Sequence, residues 1–269
     1  MKRTMTIIFI CALLAVSAFA QSNQQKPATG QQPAAKPADI KPADTRPADA
    51  MPTADQILDK YVQAIGGKAA LQKLNSRVSK GTFDIPAMGA GGPIEMYAKA
   101  PNKNLVVINI PGFGIIQQGF NGTVGWSQEP SSGLRELSGA ELASAKRDAE
   151  FYADIKYKEM YSKMTVKGKE KVGDKEAYVV EAMPTEGSPQ KIYFDTQTGY
   201  IIRTDREVES PQGKMAVEIY LEDYKEVDGI KMPFTVRQIT PAISFTIKIE
   251  EVKHNVPVDD AKFNKPAAQ

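Results

Sequence analysis

The chain has 269 residues, with 34 Lys and Arg against 32 Asp and Glu, one His and one Cys, for a formal charge of +2. A balanced charge without a basic block argues against nucleic-acid binding, which depends on clustered Lys and Arg. A lone cysteine cannot form an internal disulfide, so the fold must rest on a packed core. No Cys or His cluster has metal-ligand spacing, and neither a metal nor a cofactor is expected.

Lys2 and Arg3 precede an apolar run from Thr4 to Phe19, and Ala18-Phe19-Ala20 forms a small-x-small cleavage site before Gln21. This is the pattern of a secretory signal peptide over residues 1–20. The run is too short, and too alanine-rich at its end, for a membrane-spanning helix. Cys11 lies inside it, outside any lipidation context, and would leave with it. The expectation is an exported, periplasmic chain that begins at Gln21, carries no lipid and has lost the charges of Lys2 and Arg3.

Residues 21–52 are rich in Gln, Pro, Ala and Lys, with a repeat at Lys36-Pro37-Ala38-Asp39, Lys41-Pro42-Ala43-Asp44 and Arg46-Pro47-Ala48-Asp49. Such a segment buries too little apolar surface to offset its ordering entropy, so a disordered linker is expected. Fully extended, it would reach on the order of 100 Å. It reads first as a solvated tail and second as a spacer that holds the domain away from a membrane or partner. The remaining domain, residues 53–266, is long enough to bury about 70% of its unfolded surface.

That domain opens with a helix signal. Thr53 and Gln56 fit a capping box, Ile57, Leu58, Tyr61, Val62 and Ile65 form one apolar stripe, and Gly66-Gly67 stops it. A short second turn, Lys68 to Leu74, follows. Beyond residue 75 the pattern turns to strands. Met215, Val217, Ile219 and Leu221 alternate with polar neighbours, as do Ile230, Met232, Phe234 and Val236, and Ile243, Phe245, Ile247 and Ile249. Period-two patterning with one charged face predicts an antiparallel sheet, buried on one side. Turn signals at Gly173-Asp174, Thr198-Gly199, Pro211 to Gly213 and Asp228-Gly229 space the strands as consecutive hairpins, a meander.

The first half differs. Leu105 to Ile110 is apolar on both faces except for Asn109, and Pro111 to Ile116 continues that character across a turn. A strand of this kind needs cover on both faces, or else it faces an apolar cavity. A second long helix from Ser138 to about Ile155, capped by Ser138 and Glu141, offers that cover. Leu142, Ala145, Ala149 and Tyr152 line one stripe, with Phe151 and Ile155 beside it, and the small residues would let it lie close to the sheet. Core packing and an adjustable apolar cavity both fit this pattern.

Several segments together carry a family resemblance. They are the leader and capped helix, the run Gly125-Trp126-Ser127-Gln128-Glu129-Pro130 through Glu141, Phe194 to Arg203, Tyr224 to Pro233, and Asp259-Asp260-Ala261-Lys262-Phe263. Over residues 53–266 the chain resembles the LolA/LolB-like periplasmic lipoprotein carriers and their outer-membrane lipoprotein-sorting relatives. The resemblance implies an α+β fold, a strongly curved antiparallel sheet forming an unclosed β-barrel, with helices covering the concave face. It implies an acyl chain or lipoprotein as ligand, held between sheet and lid, with transient membrane contact and a monomeric state. The carriers' lid-locking arginine matches no position identifiable in this sequence. A lid over residues 138–155 would set Leu142, Phe151 and Tyr152 against Val107, Phe113, Ile115 and Phe245, with Trp126 at the strand-to-helix exit.

Catalytic patterns are weak. His254 follows a charged strand end and reads as solvent-exposed, outside any triad. Ser188-Pro189-Gln190-Lys191 matches S-x-x-K, but proline and the strand pattern oppose the helix that motif needs. Gly112-Phe113-Gly114 begins a dinucleotide-like pattern that Gln117 breaks. A non-enzyme is expected. It is either a periplasmic binding module for an acyl chain, lipid or lipoprotein, or an envelope interaction protein whose half-barrel is filled by its own side chains.

Overall fold

The computed structural model describes residues 51–210 and 213–267; the expected leader, and the expected linker as far as residue 50, lie outside them. Helix α1 (Ala54–Ala64) starts as the sequence predicts. The Thr53 Oγ1 accepts from Gln56 N at 3.2 Å, and the Gln56 Oε1 accepts from Thr53 N at 2.9 Å, closing the capping box. Ile57, Leu58, Tyr61, Val62 and Ile65 are all buried. The chain leaves through Gly66 at φ +126°, where a Cβ would stand 2.5 Å from the Gly229 carbonyl oxygen, so only glycine lets helix and turn meet. Helix α2 (Lys68–Leu71) follows.

Thirteen antiparallel strands then form one sheet. The first six are β1 (Ser76–Ile85), β2 (Ala90–Lys99), β3 (Lys103–Ile110), β4 (Gly114–Phe120), β5 (Gly125–Glu129) and β6 (Gly133–Glu136). A crossover comprises α3 (Gly139–Asp148), a 3-10 turn (Ala153–Ile155) and α4 (Tyr157–Met160). The second set is β7 (Tyr161–Val172), β8 (Lys175–Pro184), β9 (Gln190–Asp195), β10 (Ile201–Ser210), β11 (Gly213–Val227), β12 (Ile230–Ile239) and β13 (Ser244–His254). The chain starts mid-sheet at β1 and meanders to the β6 edge. It then crosses to the far edge at β7 and winds back until β13 pairs with β1. The edges β6 and β7 do not pair, so the barrel stays unclosed. The predicted turn pairs Gly173-Asp174, Thr198-Gly199 and Asp228-Gly229 fall between consecutive strands, with Asp228 and Gly229 at φ 53° and 78°; the signal at Pro211 to Gly213 lies partly outside the described residues, and Gly213 opens β11.

Strong curvature follows from what α3 touches. Six strands separate β4 from β10 in the sheet order, so a flat sheet would hold them about 34 Å apart. Helix α3 has ten residues, about 15 Å of length, yet it contacts β4, β5 and β10. The sheet therefore folds round on itself. Its concave face carries Phe83, Ile85, Ile94, Ile108, Ile116, Val217, Ile219, Val236 and Ile247 in one buried cluster. Helix α1 covers the neighbouring part, against Val180, Ala182, Ile192 and Phe194.

The convex face is polar where it meets water. The Arg203 guanidinium lies 5.1 Å from the Tyr193 ring and 5.3 Å from Tyr220, and Arg237 lies 4.2 Å from the other side of that ladder on Tyr220. The edge strand β7 carries Lys163, Lys167, Lys169 and Lys171, charges that discourage a foreign strand from pairing there.

Over β2–β5 the convex face is covered by the chain beyond β13. Val256, Val258 and Phe263, the last in a 3-10 turn (Asp260–Phe263), pack on Leu105, Trp126, Val78, Tyr97 and Val107. The Trp126 Nε1 donates to the Phe263 carbonyl at 2.9 Å. The indole lies flat on Gly119, where a Cβ would be 2.7 Å from the ring. Lys99 and Lys103 each hold Asp260 at 2.8 Å. This strap supplies the outer cover that an apolar β3 requires, while the concave core supplies the inner one.

The expected helix over 138–155 is corrected. It is broken after Asp148, because the Phe151 amide donates to the Pro101 carbonyl at 2.9 Å and draws the chain out of helical register. The expected Ser138 cap is absent too. Glu141 forms a bidentate pair with Arg135 at 2.7 and 2.8 Å, a charge-assisted contact stronger than the neutral cap bond. No described helix is long and apolar enough to cross a membrane.

Candidate functional site

Helix α3 bridges the two arms of the curved sheet, and the space beneath it is the candidate site. Its sheet-facing side is small: Ala145 is buried within the helix and Ala149 at its end. These methyls allow close approach but bury little. Leu142 is only partly buried, against Gly125, where a Cβ would stand 3.1 Å from its Cδ1.

At the C-terminal end of α3 the interior turns polar. The Asp148 side chain is 7% exposed, and its Oδ1 lies 3.8 Å from Nη1 of Arg206, itself 1% exposed on β10. Burial raises the Asp148 carboxyl to about 6, against the opposing pull of Arg206 and Arg147. Burial likewise lowers the Arg206 pKa. Gln190, Thr204 and Gln238 are buried on the same concave side. Arg147 turns outward, donating to the Glu186 carbonyl at 2.8 Å and to the Ser144 Oγ at 3.3 Å. It borders a groove of about 300 Å³ lined also by Lys146, Glu150, Glu159, Met160 and Glu186.

A second polar group lies near α1. The Tyr61 hydroxyl donates to Asp154 at 2.7 Å, and burial, with Asp154 adding, raises its pKa well above the usual tyrosine value. Arg77 pairs in register with His254 on the strand beside it. The expectation of a solvent-exposed His254 is corrected: its side chain is 2% exposed and its Nδ1 lies 3.0 Å from Asp228. The β11–β12 turn folds over the histidine, and burial lowers its pKa while Asp228 opposes that shift.

The structure does not gather the eight predicted ligand-facing residues into one cavity. Phe113 and Phe245 belong to the concave cluster. Phe151 packs beside α1, its ring 5.2 Å from Tyr152, whose hydroxyl donates to the Leu74 carbonyl at 2.9 Å. Leu142 stands at the β5 end of α3. Val107, Ile115 and Trp126 lie on the convex face; Ile115 is 49% exposed, and the other two sit under the strap. The reason is the strand period: Ile108 and Ile116 point inward, so their neighbours Val107 and Ile115 must point out. Trp126 reports on the strap and not on the space beneath α3.

Two solved structures share this architecture. A DUF1329 family protein from Desulfovibrio piger superposes with a TM-score of 0.55 at 16% identity, over 78% of this chain and 96% of that one. A LolA superfamily protein from Nitrosomonas europaea gives 0.52 at 16% identity, over 80% and 99%. The fold is LolA/LolB-like. No protein-family model matches the sequence, and no curated protein matches it either.

Within this LolA/LolB-like fold, sequence reasoning missed Asp148, Gln190, Arg206 and Gln238. A signal was present for two of them. The inward alternation of β12 runs on past Val236 to Gln238, and counting back by twos from Val208 on β10 reaches Arg206 and Thr204.

Asp148 gives a testable pH dependence. Its folded value, about 6, lies above the unfolded one of about 4, so its contribution is full below pH 4 and is lost as pH rises through 6. The loss is on the order of 3 kcal/mol. Asp148→Asn should remove this component. Between pH 4.5 and pH 7.5, urea unfolding is expected to show the variant losing less stability than the unmodified protein, or gaining more, because the Asp148 component opposes that of groups such as His254. An unchanged difference would mean that Asp148 titrates normally.

Proposed function

We propose that the protein is a non-catalytic periplasmic carrier or binding module, taking an acyl chain of a lipid or lipoprotein between the concave sheet and α3. The observation that carries this reading is the inequality of the two helical covers. Helix α1 buries Ile57, Leu58, Tyr61 and Val62, each large side chain worth about 1.5–3 kcal/mol. Helix α3 buries only Ala145. One cover is built in, and the other is laid on top. Lifting α3 forfeits little apolar contact, and the cluster of Ile, Val and Phe lies on the same concave side of the sheet. The likeness of fold to a LolA superfamily protein supports the same reading.

A second reading, an envelope interaction protein with a self-filled half-barrel, draws support from the concave cluster, where Ile108 and Ile247 are fully buried by their neighbours alone. Native mass spectrometry of the purified protein incubated with palmitate separates the two. The carrier reading expects a one-to-one complex. Protein that stays free at excess palmitate would leave the interaction reading.

A further inference from the structure

Away from α3, where α1 ends and the β11–β12 turn meets β13, a histidine and an aspartate join three elements that the carrier reading does not use. We propose that the β11–β12 turn is an acid-released clasp on the C-terminal end of α1, and that His254 is the group that opens it. The clasp itself is built from backbone. The Lys231 amide, just past the turn, donates to the Ile65 carbonyl at the end of α1, at 2.9 Å. Gly66 lies so close to the Gly229 carbonyl that no side chain fits between them. Ile230 is buried in the cluster that holds Ile57, Leu58 and Val62.

The turn is tied down from its other side by the histidine. The Asp228 side chain is 62% exposed, yet its Oδ2 reaches back to Nδ1 of His254, whose side chain is 2% exposed, at 3.0 Å. The Nε2 of that ring is buried and has no hydrogen-bond partner among the described residues. With Nδ1–H donating to the carboxylate, a neutral ring leaves only a lone pair at Nε2. Protonation puts a charged N–H there instead, buried and without an acceptor, which costs far more.

The neighbours do not relieve that cost. Arg77 of β1 stands opposite His254 in the register and sets a second positive charge against it. Asp154 of the 3-10 turn and Tyr61 of α1 act on Arg77, Tyr224 of β11 acts on Tyr61, and none of the three accepts from Nε2. Asp228 alone favours the charged ring, and burial outweighs it, so the His254 pKa is lowered. The stability that the neutral ring supplies is therefore full above the ordinary value of about 6.5 and is lost as pH falls through the lowered one. Asp228 is the ring's one partner and lies at the surface. An imidazolium that leaves for water takes that carboxylate with it, and the turn with the carboxylate, so the Lys231 bond to α1 opens.

The chain holds one histidine, so its imidazole resonances are unambiguous, and the test follows them together with amide exchange. Protection of the Lys231 amide, and of the Gly67 amide that donates to Val62, is compared at pH 7.5 and pH 5.0 after correction for intrinsic exchange. The proposal expects both to fall by about threefold or more on acidification, with the midpoint of the imidazole titration below its ordinary value. His254→Gln, which cannot titrate, should show no such fall. Asp228→Asn keeps an acceptor for Nδ1–H but removes the charge that favours the imidazolium, and should show a larger fall than the unmodified protein. Because Asp228 is exposed, this second variant decides the matter even if His254→Gln does not fold. Protection that holds or rises in acid, a fall that persists in His254→Gln, a smaller fall in Asp228→Asn, or an imidazole that titrates at or above its ordinary value would each overturn the clasp. The carrier reading is untouched by any of these results.

Discussion

Replacing Phe263 by alanine is expected to cost about 3–5 kcal/mol of stability, the range for emptying a fully buried aromatic site. Phe263 is 0% exposed although it lies a few residues from the end of the described chain. It closes the convex face of β2–β5, and its carbonyl accepts from Trp126. The substitution removes the ring, and loosening of the strap also frees Val258 and exposes the indole. Urea unfolding followed by Trp126 emission checks both effects. The variant should show a lower midpoint and red-shifted emission before unfolding. An unchanged midpoint would mean that the strap is an accessory and that β3 needs no outer cover.

The two helical covers should respond oppositely. Leu58→Ala on α1 is expected to lower stability by about 2–5 kcal/mol, because the leucine is 4% exposed within the cluster formed by α1, β8 and β9. Leu142→Glu on α3 places a carboxylate at a partly buried site. A buried charge would cost several kcal/mol if it stayed there, but a loosely held helix can turn outward instead. Stability should then fall by less than about 1 kcal/mol, while acyl binding is lost. Thermal unfolding and palmitate binding, measured on both variants, separate the cases. Severe destabilisation by Leu142→Glu would show that α3 is as firmly built in as α1.

The strand meander and α1 were legible in the sequence because both express themselves locally. The capping box of Thr53 and Gln56 is a four-residue signal, and the alternation in β11, β12 and β13 records which face is wet. The site was less legible, because period two separates faces without saying which face of a doubly apolar strand looks inward. Val107 and Ile115 therefore fall on the convex side instead of facing the lid, and Trp126 joins them there, since the strap that covers Val107 and Trp126 comes from the far end of the chain. The break of the second helix had no local signal either, being imposed by the Pro101 carbonyl some fifty residues away. The polar interior was hidden for a related reason. Arg206 sits in a charged-looking stretch whose period-two signal from Val208 is easily overlooked, and the register of β9 and β10 sets it beside Gln190 on the inward face.

The most direct test of the central claim, that the concave space beneath α3 receives an acyl chain, is photo-crosslinking with a diazirine-bearing palmitate followed by peptide mapping. Labels are expected on α3 and on inward-facing residues such as Phe83, Ile108, Val217 and Ile247. Labelling confined to the convex face, at Ile115 or along the strap, would contradict it.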